Sequence, residues 1–134
     1  MATDSSRPTD ESEPPAERAL DCHRRGLKCY RAGDLRGAAE WIGRAIELDA
    51  TVPRYHNNLA VALRNLGRLT DAAEACRRAL ALDADYDDAH TNLGHTLYDQ
   101  GLPEDASTHF CRALELKPDH ADALFAVYPP GQTD

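Results

Sequence analysis

Aromatic side chains are scarce in this 134-residue sequence, at 6%, with two Phe and one Trp. Alanine is frequent instead. That balance suits closely packed helices better than a β-sandwich. No apolar run approaches the ~20 residues needed to span a bilayer, so no membrane association is expected. Positive charge is also short: the net charge is −8. Half of that excess lies in residues 1–17, where Asp4, Asp10, Glu11, Glu13 and Glu17 face only Arg7. An acidic chain has no general attraction for phosphates, which argues against nucleic acid as a partner. It favours solubility and cationic partners. The opening residues MATDSSRPTDESEPP are acidic and polar and do not read as a secretory signal. Cys22, Cys29, Cys76 and Cys111 all fall inside helical patterns, so free thiols in a reducing cytoplasm are expected.

Catalytic patterns are missing too. There is no CxxC, HExxH, Gly-rich phosphate loop or GxSxG elbow. No nucleophile, base and orienting group come together, so no enzyme, cofactor or metal is expected. Among the six His, His56 and His90 stand 34 residues apart, and Cys22 holds the same place one period earlier. Neighbouring helical units lie roughly 10 Å apart, too far for shared ligation. These side chains are expected to be partly buried packing residues. Asp83, Asp85, Asp87 and Asp88 resemble a calcium loop superficially. Counted from Asp83, however, its sixth and twelfth places hold Asp88 and Gly94 rather than Gly and Glu. The cluster is expected to solvate a turn and favour the N-terminus of the next helix.

What the sequence does have is a period of 34 residues. Gly33, Gly67 and Gly101 recur at that spacing, as do Ala38, Ala72 and Ala106, then Ala45, Ala79 and Ala113, then Leu48, Leu82 and Leu116. The stretch Ala60–Leu82 shows one unit. Leu59, Ala60 and Leu63 give the apolar face of a first helix, and Ala72, Ala73, Cys76, Ala79 and Leu80 that of a second. Gly67 sits at the reversal, where a left-handed backbone ends a helix. Small residues at Ala60 and Ala72, at Gly26 and Ala38, and at Gly94 and Ala106 allow close approach of the paired helices. Pro15 and Pro53 suit first helical turns. Asp34 is placed to cap the second helix, and Thr70 and Asp71 to open the fourth. Trp41 is expected on a helix flank, partly facing solvent.

This pattern resembles the tetratricopeptide repeat, a helix–turn–helix unit of 34 residues. Phe110 and Pro118 stand where that family usually has an aromatic residue and a helix-ending Pro, whereas Ala50 and Ala84 hold the Pro place in the earlier copies. The implied fold is an all-α, right-handed solenoid of three repeats, at about 19–52, 53–86 and 87–120. A short C-terminal helix at about 119–128 caps it with Leu124 and Val127, and Pro129-Pro130-Gly131 stops that helix. Domain organisation then reads as a disordered acidic tail over 1–15, the repeat domain over 16–128 and a flexible end over 129–134. Arg25 stands where the later copies have Leu59 and Leu93, as suits an outer face that meets water.

The resemblance implies a concave groove lined by the first helix of each repeat, binding a peptide or protein segment. In the first repeat Leu20, His23, Leu27 and Tyr30 would face it. In the second, Arg54, Asn57, Asn58, Val61, Arg64 and Asn65 would do so; in the third, Asp88, Thr91, Asn92, His95, Tyr98 and Asp99. An Asn amide donates and accepts together, which suits a ligand main chain. Asn58 and Asn92 resemble the asparagine ladder of O-linked N-acetylglucosamine transferase repeats, although Arg24 breaks it in the first copy. Relatives that grip the carboxylate of heat-shock chaperones use paired basic residues and asparagine. The matching places here hold His23, Leu27, Asp88 and Asn92, and only Asn58 agrees. The alternative roles are an assembly subunit, self-associating through Phe125 and Tyr128 or using its convex face, and the accessory repeat region of a larger glycosyltransferase-type protein.

Overall fold

Three glycines mark where the chain turns back on itself. The computed structural model describes residues 12–129. Most of the acidic tail expected over 1–15, and residues 130–134 of the expected flexible end, lie outside the described residues. Within them the chain forms helices α1 (Pro15–Arg31), α2 (Leu35–Leu48), α3 (Pro53–Asn65), α4 (Leu69–Leu82), α5 (Asp87–Asp99), α6 (Pro103–Leu116) and α7 (Ala121–Val127), with no strand among the described residues. Gly33, Gly67 and Gly101 have φ of 85°, 81° and 83°. After each, the next N–H reaches back to a helix carbonyl: Asp34 to Cys29, Arg68 to Leu63 and Leu102 to Leu97, all at 2.9 Å. This left-handed cap satisfies carbonyls the helix end would otherwise orphan. Pro15, Pro53 and Pro103 sit in first helical turns. Asp34 accepts from the Gly37 N–H at 2.9 Å and caps α2. The fourth helix starts at Leu69, just before the expected Thr70 and Asp71, because Arg68 takes the cap place without a side-chain bond.

Each pair, α1 with α2, α3 with α4 and α5 with α6, packs as a hairpin, and each second helix packs on the first helix of the next pair. The repeated small residues explain the closeness. A Cβ added at Gly26 would lie 2.5 Å from Ile42, and one at Gly94 would lie 2.6 Å from the Phe110 ring. Ala60 and Ala72 fill the corresponding places in the second pair and are fully buried. Two apolar clusters result. One gathers Ala19, Cys22, Ile42, Ala45 and Tyr55, the other Leu63, Cys76, Leu93, Leu97 and Phe110, and Leu59 packs against both. Burying a side chain such as Ile42 or Leu93 contributes about 1.5–3 kcal/mol.

The histidines fasten the joints between repeats. His56 donates from Nε2 to the Ala50 carbonyl, and His90 does the same to Ala84, both at 2.9 Å. Trp41 is half-buried on α2, with the Arg44 and Arg25 guanidiniums 4.7 and 5.6 Å from its ring centre. The last helix is slightly shorter than the expected 119–128. Ala126 and Val127 cover the end of the core and Leu124 is half-buried. Phe125 and Tyr128 stay 61% and 72% exposed. Tyr128 takes the place that Ala60 and Gly94 hold in earlier first helices.

Candidate functional site

The first helices α1, α3 and α5 stand side by side, and their exposed faces carry the residues singled out from the sequence. Tyr30, Arg54, Asn65, Asp88, Tyr98 and Asp99 are exposed, and Asn58, Val61, Arg64, Asn92 and His95 are half-buried. Leu20 is also exposed and Leu27 is half-buried. His23, Asn57 and Thr91 are buried instead. Asn57 differs most from the groove-facing place that the helical period gives it. The Tyr86 phenol accepts from its amide at 3.4 Å, and its carbonyl oxygen accepts from Asn92 at 2.9 Å.

These side chains are tied together across the repeats. Asn58 donates to His23 Nε2 at 2.9 Å, Asn92 to Asn57 at 2.9 Å, Asn65 to the Tyr30 hydroxyl at 2.9 Å and Arg64 to Asp99 at 2.9 Å. In every case the partners are 35 residues apart, one period plus one. Asn58 and Asn92 each use one amide hydrogen this way. Their carbonyl oxygens and second amide hydrogens have no partner among the described residues.

Charge is graded along the sequence. Arg24 and Arg54 stand toward the first two repeats. Residues 87–129 hold Asp87, Asp88, Asp99, Glu104, Asp105, Glu115, Asp119 and Asp122 against only Arg112 and Lys117. Burial holds His23 below the ordinary histidine range, with Arg54 and Arg24 adding to the effect. This keeps its Nε2 neutral and able to accept from Asn58. His95 is lowered by burial and by Arg64, and rests edge-on against Phe110 with ring centres 5.0 Å apart.

Asp87, Asp88 and His120 bring three candidate ligand atoms within 4.8 Å of one another. His120 Nδ1 accepts from the Ala123 N–H at 3.4 Å, so Nε2 carries the proton, and it donates to Asp88 at 2.8 Å. A metal on Nε2 requires the opposite tautomer, with Nδ1 donating. The donor set therefore fits a hydrogen-bonded helix start rather than an ion. Nucleophiles are inert where buried: Cys76 is pushed up to about 12 by burial. No helix of the described residues is long and apolar enough to cross a membrane.

Comparison with known proteins agrees with this architecture. A family profile described as TPR repeat matches residues 62–101, and one described as Tetratricopeptide repeat matches residues 87–120. No curated protein matches the chain by sequence. The fold is similar to the Arabidopsis OM64 TPR domain, with a TM-score of 0.81 and 23% identity, over 84% of this chain and 93% of that one. It is also similar to the second TPR domain of human RPAP3 in complex with the HSP70 peptide SGPTIEEVD, at TM-score 0.80, 25% identity and coverage of 84% and 94%. The first TPR of Spaghetti (RPAP3), bound to the HSP90 peptide SRMEEVD, gives 0.79, 26% and coverage of 81% and 86%. Models of the tetratricopeptide repeat thus match within residues 62–120, and the described residues have the all-helical solenoid fold of such repeats.

Proposed function

We propose that this chain is a non-catalytic protein-interaction module that binds an extended segment of a partner in the groove of α1, α3 and α5. The observation that carries this reading is the row of polar side chains held by bonds between repeats, with Asn58 and Asn92 keeping amide groups open. Two similar solved structures hold peptides, SGPTIEEVD and SRMEEVD, which supports a peptide as the ligand class. Both of those peptides end in acidic residues. Here Asp88, Asp99 and Asp122 would repel a terminal carboxylate, and His23 and Leu27 stand where a carboxylate-gripping site needs Lys and Asn. The ligand favoured is therefore one with a basic residue toward the third repeat, a carboxylate near Arg24 or Arg54, and apolar groups against Tyr30 and Tyr98. The likeness to O-linked N-acetylglucosamine transferase repeats rests on Asn58 and Asn92 and extends to this main-chain chemistry, not to transferase activity. Four free cysteines support a reducing compartment such as the cytoplasm.

The test is calorimetric binding of the best hit from a proteome-derived peptide library to wild type and to the Asn58→Ala/Asn92→Ala variant. Two main-chain hydrogen bonds of about 0.5–1.5 kcal/mol each correspond to roughly 5–150-fold weaker binding. Equal affinity would remove both residues from the mechanism. The exposure of Phe125 and Tyr128 favours a second reading, self-association through α7. Sedimentation of wild type and Phe125→Asp at high concentration checks it, and a strict monomer in both counts against it.

A further inference from the structure

The opposite face of the stack carries a second opening. Between α2 and α4 lies a cleft of about 860 Å³ with an aliphatic floor of Ile46, Leu59, Leu63 and Leu66. Its origin lies in the repeat itself. One period further on, the places equivalent to Gly43 and Ala75 hold Arg77 on α4 and His109 on α6. His109 stacks on His90 with ring centres 5.4 Å apart, and its Nδ1 lies 3.2 Å from Nδ1 of His90. Because His90 Nε2 donates to a carbonyl, its Nδ1 is the acceptor and His109 the donor. Burial holds His109 below the ordinary histidine range, with His90 and then Arg77 adding to the effect.

In the second repeat that arrangement is half present. His56 is 5% exposed, donates from Nε2 to Ala50 as His90 does to Ala84, and lines the cleft. Its Nδ1 is an acceptor with no partner among the described residues, because Ala75 stands where a donor ring would be. No added Cβ at Gly43 would meet anything within 4 Å, so the opposite wall is open as well. The rim selects little by charge: Arg68 pairs with Asp71 at 3.0 Å and Arg78 with Glu74 at 3.4 Å. The selecting features are an acceptor that opens into the cleft, on a ring fixed by its bond to Ala50, and an apolar floor, in a volume typical of ligand sites.

We propose that the cleft between α2 and α4 is a second binding site, taking a partner segment that presents a planar ring with an N–H, such as histidine, between aliphatic side chains. The ring stacks on His56 as His109 does on His90, and its N–H meets His56 Nδ1. The neighbouring aliphatic groups cover Leu59 and Leu63. This site is separate from the groove and does not rest on it.

The experiment is an NMR titration at pH 8, above the ordinary histidine range. It follows backbone signals of Ala39, Gly43, Leu59 and Ala75 and the ring nitrogens of His56. The probe is the capped tripeptide acetyl-Leu-His-Leu-amide, with acetyl-Leu-Phe-Leu-amide as the ring without a donor. Saturable shifts at all four backbone sites and at His56 Nδ1 are expected, with the Phe probe about 2–10-fold weaker for want of one hydrogen bond. Ala75→His rebuilds the His90–His109 pair within the second repeat and should weaken binding at least tenfold. Gly43→Arg should do the same from the other wall, and carries the test if Ala75→His does not fold. Asn58→Ala/Asn92→Ala should leave this titration unchanged. Absence of saturable shifts, equal binding of the two probes, or undiminished binding by the folded cleft variants would overturn the proposal.

Discussion

Two mid-helix glycines should respond to the same substitution with opposite sign. Gly94 lies inside α5 and Gly43 inside α2. Replacing a mid-helix Gly by Ala contributes about 0.5–1 kcal/mol where space allows. At Gly43 an added Cβ meets nothing within 4 Å, so Gly43→Ala should stabilise by about that amount. At Gly94 the Cβ would stand 2.6, 2.8 and 2.9 Å from three carbons of the Phe110 ring. Carbon contacts are most favourable at about 3.5–4.0 Å, so the ring must retreat by roughly 1 Å. Phe110 is 6% exposed and held edge-on by His95, which leaves it little room. Overpacking of this kind costs about 1–3 kcal/mol and outweighs the helical gain. Gly94→Ala should therefore lose about 0.5–2 kcal/mol, measured by urea unfolding with an unchanged m-value. Adding Phe110→Leu to Gly94→Ala should recover part of the loss through a coupling near 1 kcal/mol. If Gly94→Ala proves as stable as Gly43→Ala, the close contact does not limit the packing of α5 on α6.

Other consequences can be checked on the same preparations. His23, His95 and His109 are all held below the ordinary histidine range, each chiefly by burial. The unfolded chain then binds more protons below about pH 6.5, so the midpoint of thermal unfolding should fall as pH drops from 7.5 to 5.5; a flat profile would contradict neutral burial of these rings. Gly67→Ala forces a side chain onto φ of 81° and should cost about 1 kcal/mol by chemical denaturation. Under native conditions a thiol reagent should modify exposed Cys111 quickly and buried Cys76 only on unfolding, as mass spectrometry would show. Asn57→Ala leaves the Tyr86 hydroxyl and the Asn92 amide without their partner and should cost about 1–3 kcal/mol, with Asn57→Asp as the isosteric control.

The fold was legible because its causes are local and recur. A glycine needing positive φ, a small residue at each helix contact and a proline at a helix start all leave marks at a fixed spacing. The groove was legible only in part. The helical period places a residue on a face, but it does not show how far one repeat is rotated against the next. That rotation brings residue i beside residue i+35 rather than i+34, so Asn57 sinks between Tyr86 and Asn92 while Asn58 stays half-open. The cleft left a fainter sign in the sequence. Setting Trp41, Ala75 and His109 in one column shows a small residue between two rings. Only the structure shows that the gap falls beside an unpaired nitrogen of His56.

The polar bonds between repeats also bear on how a solenoid built on alanine holds its shape. Its core is rich in Ala and Gly, whose small, smooth surfaces define the angle between neighbouring helices weakly. Directional bonds supply what the apolar surface lacks. Asn58 to His23, Asn92 to Asn57, Asn65 to Tyr30 and Arg64 to Asp99 each span one pair of first helices and tolerate only a narrow range of offset. Most of them lie at the same surface that would meet a ligand. The curvature of the groove and the orientation of its open amides are thereby set by one group of interactions. A partner segment that bonds to Asn58 and Asn92 would meet groups already ordered before it arrives, which lowers the entropic cost of binding. The same economy makes the groove sensitive to acid, because a protonated His23 would turn from acceptor to donor and force the Asn58 amide to reverse.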